Sequence, residues 1–410
     1  MTLIVKPKIT IVGLNFYPED TAIGLYTTQL AEYLIKNDIE VEVITGFPYY
    51  PMWKIPDEYK DKPKNYIEYH NGIKIIRYKQ YIPENPTFLK RILLLLDFTY
   101  GTYKNSFKIK KTDLVLTIVP FTSSIIVGNR IAKKHNAKHW VHIQDFEFDA
   151  AHETKLTGKT DFLFRILYKI EKKLLQKADV ISTISYAMLS KLQKKVGSNK
   201  TTYLLPNWVD VDFVNPEKAK RHKYLSSDKF KILYAGNIGQ KQDWNLFKKI
   251  AEQINPEEVE FVIVGAGAAR KEVENSLKQL PNVYFYPPVP FDELNDLLSS
   301  ADTHILCQKN EVVDTVMPSK ILGMMASQKP SIIAGSLKSE VAKIMKESKG
   351  GYYFENNEVN NIIDTIRQLK ANLALRETLG QNARLYVQQN FDKQKILKRF
   401  TQKIIGLLSN

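Results

Sequence analysis

Short apolar runs alternate with helical patterns from the start of the chain. Residues 8–14 and 41–45 are rich in β-branched residues, and a helical pattern fills about residues 24 to 36 between them. The alternation continues through strand-like runs at 113–118, 139–143 and 179–183. Strands that alternate with helices predict βαβ units on a parallel sheet. The first half of the chain is therefore expected to form one doubly wound α/β domain.

A second series of the same kind restarts at residue 231. Its strand-like runs lie at 231–235, 259–264, 283–285, 303–306 and 330–333. Turn residues gather in the segment from Leu205 to Asp212, which reads as a linker. We predict a first domain over 1–205, a linker over 206–212 and a second domain over 213–390, with the helix at 391–410 packing back on the first domain. Ligands bind beyond the carboxyl ends of strands in such sheets, so two domains facing across a cleft would suit a two-part substrate.

Composition narrows the class of protein. The chain has 410 residues, of which 44% are hydrophobic and 25% charged, enough to build two cores. Its single cysteine, Cys307, has no internal disulfide partner, and we expect no leader peptide and a cytoplasmic location. The longest apolar run, 92–96, is bounded by Arg91 and Asp97 and is far shorter than the ~20 residues that cross a bilayer.

The positive charge is concentrated in the first half and the tail. The net charge of +15 divides into +10 for residues 1–211, +1 for 212–390 and +4 for 391–410. A basic surface attracts polyanions. Anionic lipid and nucleic acid both fit, and so does a charge excess without any partner. No nucleic-acid-binding module is recognisable, and nucleic acid is not the expected partner.

Two stretches mix bulky apolar and basic residues. They cover 88–98, continuing to 111, and 162–173. Such a mixture suits a helix that lies on an anionic membrane leaflet. The alternative, that each apolar face simply packs on the sheet, stays open.

Loops that follow predicted strands carry the candidate binding residues. The first loop reaches Gly24 where a helix begins, and free N–H groups there suit a diphosphate, although backbone geometry alone also calls for glycine. In the second domain, one strand runs into a loop that allows close backbone approach and ends in Lys241, a point charge for a phosphate leaving group. That loop contains Gly236, Asn237, Gly239 and Gln240.

Two further segments of the second domain point to anions. Gly265 and Gly267 form a G-x-G, but Arg270 stands where a dinucleotide fingerprint has its third glycine, which argues against a dehydrogenase. A tight turn explains this segment equally well, and Arg270 could also contact a base or phosphate. Ser319 and Lys320 open a later helix, where a lysine opposes the helix dipole unless an anion lies nearby; a solvated lysine without a ligand is the alternative.

The reacting centre is predicted after the strand at 139–143. Asp145 offers a carboxylate that could orient the acceptor hydroxyl or accept its proton. His142 reads more readily as a strand-end core histidine than as a base. No cluster has metal-ligand spacing, so no metal is expected, and Lys241 with helix ends would replace a cation.

The order of these elements resembles glycosyltransferase family 4, retaining enzymes of GT-B architecture, and especially members of the O-antigen and colanic acid type. The resemblance is carried by residues 14–19, Ile23-Gly24, 47–51 and the Pro-Ser-Lys segment from 318 to the proline at 330. It implies that Gly24 lies by the donor diphosphate, that Lys241 neutralises it, and that the backbone at Gly265 and Gly267 faces the nucleobase. It also implies that Ser319 and Lys320 lie near the phosphates or the sugar. The remaining assignments are Gly236, Asn237, Gly239, Gln240 and Arg270 for the donor, and Tyr17, Glu19 and His142 for the acceptor.

The sequence departs from the family pattern at the ribose. Many members carry two glutamates eight residues apart, and the second holds the ribose. Thr315 and Gly323 occupy those positions here, and Asn237 replaces a common arginine. Glu311 and Asp314 are the candidate substitutes.

The resemblance implies a specific reaction. It is the transfer of N-acetyl-L-fucosamine from its UDP form to a polyprenyl-diphosphate-linked N-acetylhexosamine, in O-antigen, capsule or exopolysaccharide assembly. The enzyme is expected to need no cofactor or metal. It is expected to be a peripheral protein on the cytoplasmic face of the inner membrane. The leaving diphosphate would depart from the face that the acceptor attacks. The alternatives are a nucleotide-sugar epimerase of the same architecture, or a transferase that uses a GDP-sugar or UDP-N-acetylglucosamine.

Overall fold

The chain forms two compact units. A computed structural model describes residues 6–20, 22–85, 87–146, 148–149, 161–311 and 320–409. The first unit is Met1–Pro206 together with Leu397–Asn410, and the second is Asn207–Ile396.

The first unit is built on an eight-stranded sheet. The strand order is β3-β4-β2-β1-β5-β6-β7-β8, and every neighbouring pair is parallel except β3 with β4. The strands are β1 Lys8–Val12, β2 Glu40–Gly46, β3 Asn65–His70, β4 Ile73–Tyr78, β5 Leu114–Val119, β6 Lys138–Ile143, β7 Val180–Thr183 and β8 Thr202–Leu204. The helices that the structure describes between β1 and β8 are α1 Ala22–Lys36, α2 Asp57–Lys60, α3 Phe88–Asn105, α4 Ser124–His135, α5 Asp161–Leu175 and α6 Tyr186–Val196.

The second unit is built on a six-stranded parallel sheet of order β11-β10-β9-β12-β13-β14. The strands are β9 Phe230–Ala235, β10 Val259–Val264, β11 Val283–Tyr286, β12 Thr303–Cys307, β13 Ser331–Ala334 and β14 Gly351–Phe354. The helices that the structure describes after β9 are α7 Trp244–Ala251, α8 Arg270–Leu277, α9 Leu294–Ser299, α10 Lys320–Ala326, α11 Glu340–Ser348, α12 Val359–Ala371, α13 Leu373–Asn390 and α14 Lys393–Leu408.

The central strands of both sheets are continuously buried, as expected for parallel sheets. Every residue of β5 and of β10 is buried. Strands of a parallel sheet are covered by helices on both faces and therefore read as unbroken apolar runs. The predicted fold class, two doubly wound α/β domains with parallel sheets, is confirmed.

One antiparallel hairpin was not predicted. Strands β3 and β4 are joined by Asn71 and Gly72, whose φ angles are +47° and +81°. An Asn-Gly pair between two strands is the typical sequence of a tight hairpin turn with positive φ at both residues. The pattern was therefore present in the sequence.

The terminal helix α14 packs against the first sheet. The ring of Phe400 lies edge-on to Trp140, with the ring centroids 4.9 Å apart, and both side chains are fully buried. Within the part of the chain that the structure describes, no helix is both long enough and apolar enough to cross a membrane.

Candidate functional site

Two backbone loops cross at the carboxyl ends of β9 and β10. The Ile238 N–H donates a hydrogen bond to the Ala266 carbonyl at 2.8 Å. A Cβ atom on Gly265 would lie 1.9 Å from the carbonyl oxygen of Gly236, and one on Gly267 would lie 2.2 Å from that of Ile238. Only glycine fits where backbones approach so closely. The G-x-G segment thus has a packing role that joins the two loops.

The Lys320 ammonium lies at this crossing. Lys320 is the first residue of α10, and its Nζ donates a hydrogen bond to the Tyr234 hydroxyl at 2.9 Å. A Cβ on Gly236 would be 3.3 Å from that Nζ. Burial lowers the pKa of Lys320 from 10.5 to about 8. Within the described residues the ammonium has no carboxylate partner, so an anion beside it would raise this pKa again.

Tyr234 fixes the position of that lysine. Its hydroxyl donates to the Asn237 carbonyl at 2.6 Å, and the Lys320 Nζ lies 4.5 Å from its ring centroid. Burial raises the pKa of Tyr234, so the hydroxyl stays protonated at neutral pH. Sequence reasoning missed Tyr234, because its position in β9 reads as an ordinary core residue.

Lys241 lies on the same loop as Gly236 and is exposed. Hydrogen bonds fix the loop around it: Gly239 N–H donates to the Gln242 side chain at 3.0 Å, and the Trp244 indole donates to the Gly239 carbonyl at 3.1 Å. Gln240 donates to Glu272 at 3.2 Å. A lysine on a fixed loop, with no ion pair among the described residues, can reach an anion in solvent.

Arg270 is occupied by its own surroundings. Its guanidinium donates to the carbonyls of Gly265 and Tyr286, the latter at 2.8 Å, and pairs with Glu274 at 2.7 Å. The side chain thus fastens the β10–α8 loop. Its role as a donor contact stays a prediction.

The structure describes some of the residues at the predicted ribose site. Ser319 and Asp314 lie outside the described residues. Glu311 is exposed, and Gly323 lies within α10, where a Cβ would come 3.2 Å from a methyl carbon of Leu298.

Glu19 occupies the centre of the corresponding loop in the first unit. One carboxylate oxygen accepts the N–H groups of Tyr49 at 2.8 Å and Tyr50 at 2.9 Å, and the other accepts the Asn15 amide at 2.8 Å. Burial raises the pKa of Glu19. A Cβ on Gly24 would lie 2.7 Å from the Cβ of Glu19. Gly24 is therefore required where α1 begins against this carboxylate.

Tyr17 and a buried arginine complete that loop. The Tyr17 ring stacks on His70 with centroids 3.7 Å apart. Its carbonyl accepts a hydrogen bond from Arg77, which also donates to the Gly46 carbonyl at 2.8 Å and pairs with Glu68. Sequence reasoning missed Arg77, although an arginine within the apolar run of β4 indicates a buried partner.

His142 and Asp145 follow β6 of the first unit. Both ring nitrogens of His142 are engaged, Nδ1 with the Ser182 hydroxyl and Nε2 with the Gln144 amide, each at 2.9 Å. Burial lowers the pKa of His142 to about 3, so the ring is neutral. This geometry favours the core reading of His142 over acceptor binding. Asp145 is partly buried, and residues 150–160 beyond it lie outside the described part.

Comparison with known proteins identifies the family. A family model described as glycosyl transferases group 1 matches residues 216–386. The Escherichia coli K12 protein WcaI, named as a colanic acid biosynthesis glycosyl transferase, is 30% identical over 413 residues, covering 97% of this chain and 100% of WcaI. The chain belongs to the group 1 glycosyltransferases. The family 4 resemblance and the expectation of a transferase enzyme are confirmed.

Solved structures support the GT-B fold of this glycosyltransferase. Sucrose-phosphate synthase from Thermosynechococcus elongatus superimposes with a TM-score of 0.76 at 18% identity, covering 98% of this chain and 100% of the synthase. Anabaena HepE in complex with UDP-glucose gives a TM-score of 0.69 at 13% identity, covering 97% and 99% of the two chains. At this identity the likeness concerns the fold alone.

Proposed function

We propose that this glycosyltransferase transfers a sugar from a uridine diphosphate donor to a lipid-linked saccharide during assembly of a bacterial polysaccharide. One observation carries the donor half of the proposal. The Lys320 ammonium is held beside Gly236, and the described residues supply it with a hydroxyl partner but no carboxylate. A partly buried cation without an anionic partner is stabilised by a bound diphosphate.

The relatives support the same reading. WcaI is named for colanic acid biosynthesis, and HepE has been solved with UDP-glucose and with UDP. The donor sugar that we propose, N-acetyl-L-fucosamine, and the acceptor, a polyprenyl-diphosphate-linked N-acetylhexosamine at the cytoplasmic membrane face, rest on the sequence resemblance.

In this proposal, three charged residues have roles in the reaction. The bond between the sugar C1 and the diphosphate oxygen breaks while a bond to the acceptor oxygen forms on the same face. Lys241 and Lys320 neutralise the leaving diphosphate without a metal ion. Asp145 orients the acceptor hydroxyl, whose proton passes to an oxygen of the departing diphosphate.

The first experiment is a titration of the purified protein with UDP, GDP, dTDP and NAD, followed by thermal shift and calorimetry. Binding to the native state raises its apparent stability. We expect selective stabilisation by UDP. A preference for GDP would reassign the donor, and the absence of any response would contradict the proposal.

A second experiment tests the reaction itself. Lys241→Ala is expected to lower sugar transfer by roughly 100-fold, a typical loss for one group that stabilises transition-state charge. Lys249→Ala, an exposed lysine on the following helix, is the matched control and should transfer normally. Product analysis by mass spectrometry separates transfer from epimerisation, because an epimerase releases a free sugar epimer when no acceptor is present.

A further inference from the structure

Helix α3 has apolar side chains on two opposite faces. Its inner face is buried through Leu94 and Phe98, which are 2% and 0% exposed and cluster with Leu14 and Tyr49. Its outer face carries six large apolar residues that are between 40% and 70% exposed, extending one turn into the 3₁₀ helix that follows. These residues, called the α3 stripe from here on, are Leu89, Leu93, Leu96, Tyr100, Tyr103 and Phe107.

The spacing makes the α3 stripe one continuous surface. Its members recur at alternating intervals of four and three residues, which keeps them on one side of a helix of 3.6 residues per turn. At 1.5 Å per residue the stripe runs for roughly 27 Å. Single exposed apolar residues are normal on a soluble protein, but a contiguous row of six indicates a contact surface.

Positive charge surrounds the α3 stripe. Residues 88–111 contain six lysines and arginines and one acidic residue, Asp97. Asp97 is occupied by Tyr78, whose hydroxyl donates to it at 2.8 Å, and by the backbone of Tyr81 at 2.7 Å. Lys104 lies 4.3 Å from the ring centroid of Tyr100. On the neighbouring helix, Arg130 lies over the ring of Phe107 at 3.8 Å.

We propose that the α3 stripe inserts into the interface of an anionic lipid bilayer, with the surrounding lysines and arginines on the lipid headgroups. Leucines at one end and aromatic residues at the other, rimmed by cations, match the composition of helices that lie in a membrane surface. The inference deepens the proposed function, because it rests on an acceptor held at a membrane and names the surface that meets that membrane.

Charge argues against a second copy of the chain as the occupant. In an antiparallel pair of α3 helices, Lys90 and Arg91 of one copy would face Lys104 and Lys108 of the other. In a parallel pair, each cation would face its own equivalent. Like charges at a helix interface are unfavourable in both arrangements.

The second basic stretch identified in the sequence is arranged differently. In α5 the buried positions Phe164 and Leu175 face inward, and Glu171 between them pairs with Lys195 at 2.6 Å. Two isoleucines, Ile166 and Ile170, are exposed on this helix among the residues whose side chains are described. Among the side chains that the structure describes on these two helices, the longer exposed apolar row therefore belongs to α3.

The test is co-sedimentation of the full chain with vesicles of phosphatidylcholine, with and without about 30% of the anionic lipid phosphatidylglycerol. The wild-type protein should bind the anionic vesicles more tightly. Leu93→Ser with Leu96→Ser should weaken partitioning at least ~10-fold, equivalent to about 1.4 kcal/mol. Lys90→Gln with Lys104→Gln should reduce the preference for anionic vesicles.

The matched control is Leu373→Ser with Leu385→Ser on α13 of the second unit, where the leucines are 59% and 53% exposed. It removes similar apolar area and should leave partitioning unchanged. Equal binding by the stripe variant and the wild type would overturn the proposal. So would a wild-type dimer in sedimentation velocity that the stripe variant dissociates, if neither protein binds vesicles.

A UDP titration of the same samples keeps the two proposals apart. If the stripe variant binds UDP as the wild type does but no longer binds vesicles, the membrane surface is supported and donor binding is untouched. If the wild type binds UDP but no vesicles, the surface assignment is wrong while the donor assignment stands.

Discussion

The first strand-to-helix loop of each unit begins at a similar place in the sheet, but the charged side chains at the two loops have different partners. In the first unit, after β1, the Glu19 carboxylate is consumed by three N–H groups of the protein itself, and Gly24 exists to make room for it. In the second unit, Lys241 on the loop after β9 and Lys320, which reaches that loop from α10, have no carboxylate partner among the described residues. We call the first loop closed, because its carboxylate is satisfied by N–H groups of the protein. We call the second loop open, because the two ammonium groups at it are available to an anion.

This difference teaches where a diphosphate is better accommodated. An anion beside Glu19 would meet a buried carboxylate, and repulsion of like charges in a buried site is large. An anion beside Lys320 would relieve the cost of burying a cation. A glycine where a helix begins is thus a poor guide by itself, because Gly24 has a packing role that requires no ligand.

The largest expected effect is on the loop crossing of the second unit. Gly265→Ala places a Cβ 1.9 Å from the Gly236 carbonyl and should destabilise the protein by at least about 4 kcal/mol. Urea unfolding measures the change. The control is Gly406→Ala, which meets open space within α14 and should be neutral or stabilising. An unchanged midpoint for the Gly265 variant would show that the loops do not need this approach.

The next effect breaks the closed loop of the first unit. Glu19→Ala leaves the N–H groups of Tyr49 and Tyr50 without their acceptor, at a cost of about 2–4 kcal/mol in unfolding free energy. Thermal unfolding of Asp20→Ala, an exposed neighbouring carboxylate, provides the comparison and should match the wild type. Similar stability of both variants would contradict the structural role of Glu19.

The third effect concerns Lys320, which lies beside the loop after β9. Lys320→Met should weaken UDP binding by roughly 10–100-fold, the usual range for a charge-assisted hydrogen bond. Calorimetry of the wild type near pH 8, in buffers of different ionisation enthalpy, should also detect proton uptake on binding. Lys320, with a pKa of about 8, is half protonated at that pH, and an anion raises its pKa.

Lys309→Met, an exposed lysine, is the control and should bind UDP with proton uptake like the wild type. Tight UDP binding by the Lys320 variant would remove Lys320 from the donor site, whereas binding without proton uptake in the wild type would mean that the pKa of Lys320 lies well away from 8.

The smallest effect tests the neutral core histidine of the first unit. The pKa of His142 is about 3 in the folded protein against an ordinary 6.5, so the unfolded chain takes up its proton first as the pH falls. Stability is therefore lost below about pH 6.5. His142→Gln should lose about 1 kcal/mol less than the wild type between pH 7 and pH 5.5.

Urea unfolding at the two pH values measures this difference. Ser182→Ala removes a hydrogen-bond partner of the ring and keeps the titrating group, so it should retain most of the wild-type pH dependence. An equal pH dependence in the His142 variant and the wild type would mean that the ring is accessible to protons in the folded state.

The fold was predictable because the central strands of both sheets are almost completely buried. Runs that are apolar at all but one position, such as β5 and β10, identify parallel strands without knowledge of their neighbours. The hairpin of β3 and β4 was missed although Asn71-Gly72 marks its turn, because a pattern of alternating strands and helices predicts βαβ units alone.

The site was less predictable because its partners are distant in sequence. Lys320 and Tyr234 are 86 residues apart, and Glu19 and Tyr49 are 30 apart. A sequence pattern gives the residue types but not the pairings, and the pairing decides whether a charge is satisfied or available. Arg77 illustrates this, since only the structure connects it to Tyr17, Gly46 and Glu68.

The docking of Phe400 on Trp140 has a consequence for synthesis on the ribosome. The first unit receives its last helical segment, from Leu397 onward, only after the whole of Asn207–Ile396 has been made. At typical translation rates, that interval is on the order of 10–40 s. During it the indole of Trp140 keeps its contact with Tyr203 but lacks the ring of Phe400. We therefore expect the nascent first unit to be a client of chaperones until the final helix emerges.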